Sequence, residues 1–120
     1  MNKEGLIKRT KKFAIDVIKM VEIFPRTTAG FTIGKQLIRA ATSVAANYRA
    51  ALRAQSHAHF ISKLAIVEEE ADESLFWLEL SADAELIKSD SSANLIKEAN
   101  ELTAIFTASH KTAKNKLYKK

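Results

Sequence analysis

Cysteine is absent from the 120-residue sequence. That excludes a disulfide framework and thiolate chemistry, and it suits a reducing compartment. Proline occurs once and glycine three times. Few tight turns can be placed with so little of either, and the alanine- and aliphatic-rich remainder favours helix. No apolar run approaches the roughly 20 residues that span a bilayer. After Met1-Asn2-Lys3-Glu4-Gly5, the residues Asp16, Lys19 and Glu22 interrupt any signal-like apolar stretch. The expected location is therefore the cytoplasm, with no membrane partner. A chain of this length is a prior for one domain, residues 1–120, able to bury a core without staples.

Charge of one sign is missing over long stretches, although the formal net charge is only +5. From Arg26 to Val67 there is no acid, only Arg26, Lys35, Arg39, Arg49, Arg53 and Lys63. From Glu68 to Glu85 there is no base, only Glu68, Glu69, Glu70, Asp72, Glu73, Glu79, Asp83 and Glu85. Lysines gather again at both ends: Lys3, Lys8, Lys11 and Lys12, then Lys111, Lys114, Lys116, Lys119 and Lys120. Two readings fit. One is solvated helix faces with solubilising tails; the other is a basic surface for a polyanion, with an acidic strip paired internally or between subunits.

The apolar pattern has helical period throughout. Phe13, Val17, Met20, Val21 and Phe24 share a face of a first helix, about residues 4–24, which Pro25 stops. A second helix, about 33–54 with Thr32 as N-cap, turns Leu37, Ile38, Ala41, Val44, Ala45, Tyr48 and Leu52 inward. Its small residues Ala40, Ala41, Ser43, Ala45, Ala46, Ala50 and Ala51 allow close approach on more than one side, which points to an oligomer. A third helix, about 57–88 behind Ser56 as N-cap, carries Phe60, Leu64, Val67, Ala71, Leu75, Leu78 and Ala82 on one stripe, with Phe76 and Trp77 beside it. Ser89-Asp90-Ser91-Ser92 reads as a turn before a fourth helix, about 93–116. Amphipathic helices joined by short loops pack as antiparallel neighbours, so the expected fold is an all-α, up-down-up-down four-helix bundle.

No catalytic or metal constellation emerges. A bundle-type di-metal site needs Glu-x-x-His on two helices and a Glu on each of the others. None of the three histidines follows an acid by three positions, and the second helix has no carboxylate. There is no nucleophile elbow and no glycine-rich phosphate loop. No cofactor, metal site or enzymatic activity is expected. One polar line is singled out: Arg39, Ser43 and Asn47, spaced four apart, with Gln36 before it and Arg53 beyond. One reading is a buried or interfacial hydrogen-bond network completed by Glu70 or Glu73. The other is phosphate contact through arginines.

The stretch Gln36-Leu-Ile-Arg39-Ala-Ala-Thr-Ser43-Val-Ala-Ala-Asn47-Tyr-Arg49-Ala resembles a bacterial family of four-helix bundles. So do Arg53, Phe60, Lys63-Leu64, Glu69-Glu70-Ala71-Asp72-Glu73-Ser74 and Trp77-Leu78. The family was first noticed as reading frames inside intervening sequences of 23S ribosomal RNA genes. The resemblance implies a ring-shaped homopentamer and no catalysis. Through a relative, the accessory protein of diversity-generating retroelements, it also makes structured RNA and a reverse transcriptase or another protein natural partners. The sequence departs from the commoner subgroup after Asn47, where Tyr48-Arg49-Ala50-Ala51 replaces a Glu-Gly-rich segment.

The expected function is a non-enzymatic RNA-binding or ribonucleoprotein accessory pentamer; the alternative is a pentameric protein-interaction scaffold without nucleic acid. Candidate RNA contacts are Lys35, Arg49, Arg53, Lys111, Lys114, Lys116, Lys119 and Lys120. Candidates for a structural polar network or interface are Gln36, Arg39, Ser43, Asn47, Glu70 and Glu73. The lysines from Lys111 onward are spaced too closely to serve the core, so their removal is expected to leave the fold intact.

Overall fold

The first helix, α1 (Lys3–Val21), starts where the Asn2 side chain accepts a hydrogen bond from the Gly5 N–H at 2.7 Å. Thr27 and Ser56 do the same for α2 (Thr28–Leu52) and α3 (His57–Asp83), accepting from Gly30 and His59, each at 3.1 Å. Each cap satisfies one of the orphan donors of a first turn. The computed structural model describes the backbone of residues 2–118 and the side chains of residues 2–116. Its last helix is α4 (Ser89–Tyr118).

Helix boundaries differ most from those expected at four places. α1 ends at Val21, and the next residues tighten into three-residue turns, Ile23 N–H to Met20 and Phe24 N–H to Val21. α2 begins at Thr28, and its cap is Thr27, not Thr32. The chain reverses within Glu22–Thr27, so Gly30 lies inside the helix. α3 stops at Asp83 instead of running to residue 88 because Glu85 takes a left-handed conformation, φ 61°. The Leu86 N–H then bonds the Ser81 carbonyl at 2.9 Å and the Glu85 N–H that of Ala82 at 3.1 Å. This pair of bonds is a Schellman closure. It is usually built on glycine, so the sequence carried no signal for it. α4 accordingly starts at Ser89, with the Lys88 carbonyl accepting from Ser91 and Ser92.

Consecutive helices run antiparallel. Along α3 and α4, Glu68 meets His110 and His57 meets Ala113. α2 packs extensively on α3, and α3 on α4; α1 lies mainly on α2 and touches α4 more sparingly. The bundle measures 52 × 22 × 21 Å. Its centre holds Phe13, Val17, Leu37, Val44, Leu64, Val67, Leu78, Leu102 and Phe106, all fully buried. The Tyr48 ring tilts against Phe106 with centroids 5.3 Å apart. On α3 the buried stripe takes in Ser74 and Ser81, while Leu75 and Ala82 are only half-buried. Both serine hydroxyls donate to carbonyls one turn back, Glu70 at 2.8 Å and Trp77 at 2.7 Å, which removes the cost of burying them. α4 continues through Ala113, which is buried, so removing residues 111–120 would take core with it; the expectation that this end is dispensable is corrected.

Replacing a helical glycine by alanine ordinarily stabilises by about 1 kcal/mol. At Gly30 the added Cβ would overlap the Pro25 carbonyl oxygen, which is backbone and has little room to move. Gly30→Ala is therefore expected to destabilise by about 1–3 kcal/mol. Chemical denaturation of the purified variant checks this; a midpoint at or above wild type would show that the turn yields.

Candidate nucleic-acid interface

The up-down path brings four helix ends to one pole: the starts of α1 and α3 and the ends of α2 and α4. That pole collects Lys3, Lys8 and Lys11 from α1, Arg49 and Arg53 from the end of α2, Lys63 from α3, and Lys111, Lys114 and Lys116 from α4. Apart from the half-buried Lys63, all are exposed. Among the described residues none of them lies in an ion pair. Among the described residues the acids near these cations are Glu4, in the first turn of α1, Glu98 and Glu101, held by Arg9, and Glu68, held by His110. At the opposite pole the charges are mixed: Glu22, Arg26, Lys35, Asp83, Glu85, Lys88 and Asp90.

The candidate RNA contacts thus divide. Arg49, Arg53, Lys111, Lys114 and Lys116 share the basic pole, whereas Lys35 stands on the second turn of α2 at the far end. Lys119 and Lys120 lie outside the described residues. Lys3, Lys8, Lys11 and Lys63 join the pole although they were not among the candidates. The signal for them was present in the charge runs, but using it requires knowing that the first and last helices finish side by side. His57 and Phe60 also lie here, with ring centroids 6.0 Å apart, and His57 Nε2 is 3.0 Å from the Ala113 carbonyl, tying α3 to α4.

The polar line on α2 resolves into two separate groups on the flank facing α3. Arg39 Nη1 donates to Glu70 Oε2 at 2.8 Å and Nη2 to Glu73 Oε1 at 2.5 Å, while Gln36 Oε1 accepts from Arg39 Nε at 3.5 Å. One turn on, Asn47 Nδ2 donates to the Ser43 hydroxyl at 2.8 Å and the Ser43 carbonyl at 3.0 Å. The two groups do not bond each other. Arg39 is engaged on both branches of its guanidinium, and hydrogen bonds from it to Glu70 and then Glu73 push its affinity for the proton up. A second clamp, unforeseen from sequence, joins α1 to α4: Arg9 donates to both Glu98 oxygens at 2.7 Å and to Glu101 at 2.9 Å. Among the described residues no three His, Cys, Asp or Glu side chains gather where a metal would bind.

Among the described residues two carboxyls are shifted from the ordinary range. Partial burial works to raise Glu73, but hydrogen bonds from Arg39 and Trp77 outweigh it and hold the group below the ordinary carboxylate range. Burial likewise opposes the shift at Glu68, where Thr107 and His110 prevail and lower it. A carboxyl with a depressed folded-state pKa contributes stability above its ordinary pKa and loses it as pH falls through the folded value. Glu73→Gln is therefore expected to lower stability near pH 7 and to flatten the loss between about pH 5 and pH 2, measured as the melting temperature across that range. Arg39→Ala strands Glu70, whose side chain is only 10% exposed, but Arg39 itself is 49% exposed. The expected cost is about 1–3 kcal/mol, below that of a fully buried pair; an unchanged denaturation midpoint would remove Arg39 from the structural role.

No curated protein matches the chain. A crystal structure from Bacteroides thetaiotaomicron VPI-5482, of a protein with unknown function from the S23 ribosomal protein family, superposes with a TM-score of 0.84 at 30% identity. The match covers 92% of this chain and 99% of that one. The family model of the 23S rRNA-intervening sequence protein matches residues 3–108, all four helices except the end of α4. With that span and that structural likeness, the chain belongs to the 23S rRNA-intervening sequence protein family.

Proposed function

We propose that the protein is a non-enzymatic RNA-binding or ribonucleoprotein accessory protein, acting as a homopentamer in the cytoplasm, with its basic pole against the phosphate backbone of structured RNA. One observation carries this reading: the exposed cations of four helix ends converge on one pole with no partner acid in ion-pair range among the described residues. A protein gains nothing in stability from gathering like charges, whereas a polyanion rewards it through counterion release. The pole has few aromatic side chains, so the contact is with backbone more than with bases. The family description points to ribosomal RNA genes, and the superposed relative is described as a ribosomal-family protein of unknown function. Repetition of the pole around a five-fold axis would make a continuous basic surface.

The second reading, a protein-interaction scaffold, is favoured by a different observation: Ile7, Ile15, Ile18, Phe31 and Phe76 are all exposed. Salt dependence separates the two. Lys111→Gln, Lys114→Gln and Lys116→Gln together leave Ala113 in place, and they are expected to weaken binding to a structured RNA. The slope of log affinity against log salt should fall by about 2–3. No binding by the wild-type protein at low salt would overturn the RNA reading in favour of the scaffold. Light scattering at micromolar concentration is expected to report about five chains; a stable monomer overturns the pentamer.

A further inference from the structure

The cations of the basic pole can hold phosphate but offer no flat surface to a base, and most of the aromatic rings are elsewhere. Phe13, Phe24, Tyr48 and Phe106 are buried. Phe31 opens to solvent in the first turn of α2, at the opposite pole, and Phe76 lies with Trp77 toward the far end of α3. Among the described residues Phe60 is the one Phe, Tyr or Trp ring that reaches solvent at the basic pole. It lines a cleft of about 350 Å³ between the start of α3 and the last turns of α4.

His57 and Phe60 make one wall of this cleft, their planes inclined by 31° and their centroids 6.0 Å apart. A carbonyl can only accept, so His57 Nε2 carries the proton in its 3.0 Å contact with Ala113, and α4 holds the imidazole in place. Lys116 lines the same cleft, exposed and outside any ion pair among the described residues. Ser109 and Thr112 add two hydroxyls. Unlike the Thr103 hydroxyl, which donates to the Ala99 carbonyl at 2.7 Å, neither makes a hydrogen bond among the described residues. An aromatic wall, a free ammonium and two hydroxyls complement the parts of a nucleotide: a base to stack, a phosphate, and polar edges that donate and accept. The volume is near the small end of ligand clefts, about 300–1,000 Å³. It suits one nucleotide and leaves no room for a stacked run.

We propose that this cleft is a socket for one unpaired nucleotide of the bound RNA, its base laid on the His57–Phe60 wall and its phosphate beside Lys116. This rests on the RNA reading above and names the part of the RNA that is recognised. Paired bases cover one another's faces, and the deep, narrow major groove of an A-form helix keeps side chains from their edges. A bulged or terminal nucleotide offers both face and edge. The lysines then supply affinity for any RNA backbone, and the socket selects RNA that has a base turned out of its helix. Because a hydroxyl suits either sense of hydrogen bond, the identity of that base matters little.

The test titrates the full chain with two RNA duplexes that carry the same single-nucleotide bulge, 2-aminopurine in one and an abasic nucleotide in the other. Charge and flexibility are then matched, and only the base differs. Wild type is expected to bind the 2-aminopurine duplex about tenfold more tightly and to quench its fluorescence. Phe60→Leu should remove most of that preference. Phe60 is half-buried and its loss could disturb the fold, so a second variant fills the cleft from exposed positions of α4, Ala108→Leu with Thr112→Leu. It should bind both duplexes with the wild-type affinity for the abasic one, at unchanged helicity by circular dichroism. Lys111→Gln with Lys114→Gln should weaken both duplexes alike. If wild type binds the two duplexes equally, or the filled cleft keeps the preference, the socket is overturned while backbone contact stands. If wild type binds neither at low salt, the RNA reading fails, and titration with AMP decides the cleft. AMP binding that the filled cleft abolishes would keep the nucleotide site with a free nucleotide as its source; no AMP binding would overturn the socket as well.

Discussion

The connections Glu22–Thr27, Arg53–Ser56 and Ala84–Lys88 are short against the 52 Å length of the molecule. Six residues reach about 20 Å even when fully extended, so each helix must turn back beside the one before it. Most of the architecture depends on that constraint. It sets the antiparallel order, brings the start of the chain to the end of α4, and determines which charged residues become neighbours. The turns that make it possible are held by specific devices: the bare Cα of Gly30 under the Pro25 carbonyl, and the left-handed Glu85 that closes α3.

Within this frame the charged groups act as clamps on edges of the bundle, while the centre is apolar apart from hydroxyls such as Ser74 and Ser81 that bond back to their own helix. Arg39 spans α2 and α3 through Glu70 and Glu73; Arg9 spans α1 and α4 through Glu98 and Glu101; His110 joins Glu68 across α3 and α4. The α1–α4 clamp lies at the edge with the sparsest packing. Half-exposed pairs add little to stability by themselves, but each is compatible with only one register of the helices it joins. Among the described residues no buried side-chain polar atom lacks a partner, so the clamps add specificity without leaving an unpaired charge inside.

Period and composition alone determined the helices, most of their inward residues and the Ser56 cap, because a helical stripe is a local property written at three- and four-residue intervals. The Arg39…Ser43…Asn47 pattern was enough to point to the family, and the runs of single-sign charge were plain to read. The tertiary structure decided what local pattern cannot express. Gly30 belongs to α2 and Thr27 caps it because the chain completes its reversal within Glu22–Thr27. Ser74 and Ser81 are core residues because their hydroxyls return to their own helix. Lys35 parts from Arg49 and Arg53 because α2 (Thr28–Leu52) carries it to the far pole, while Lys3 and Lys116, at opposite ends of the sequence, become neighbours in charge. Sequence spacing measures distance along one helix; only the antiparallel return of the chain converts it into a surface.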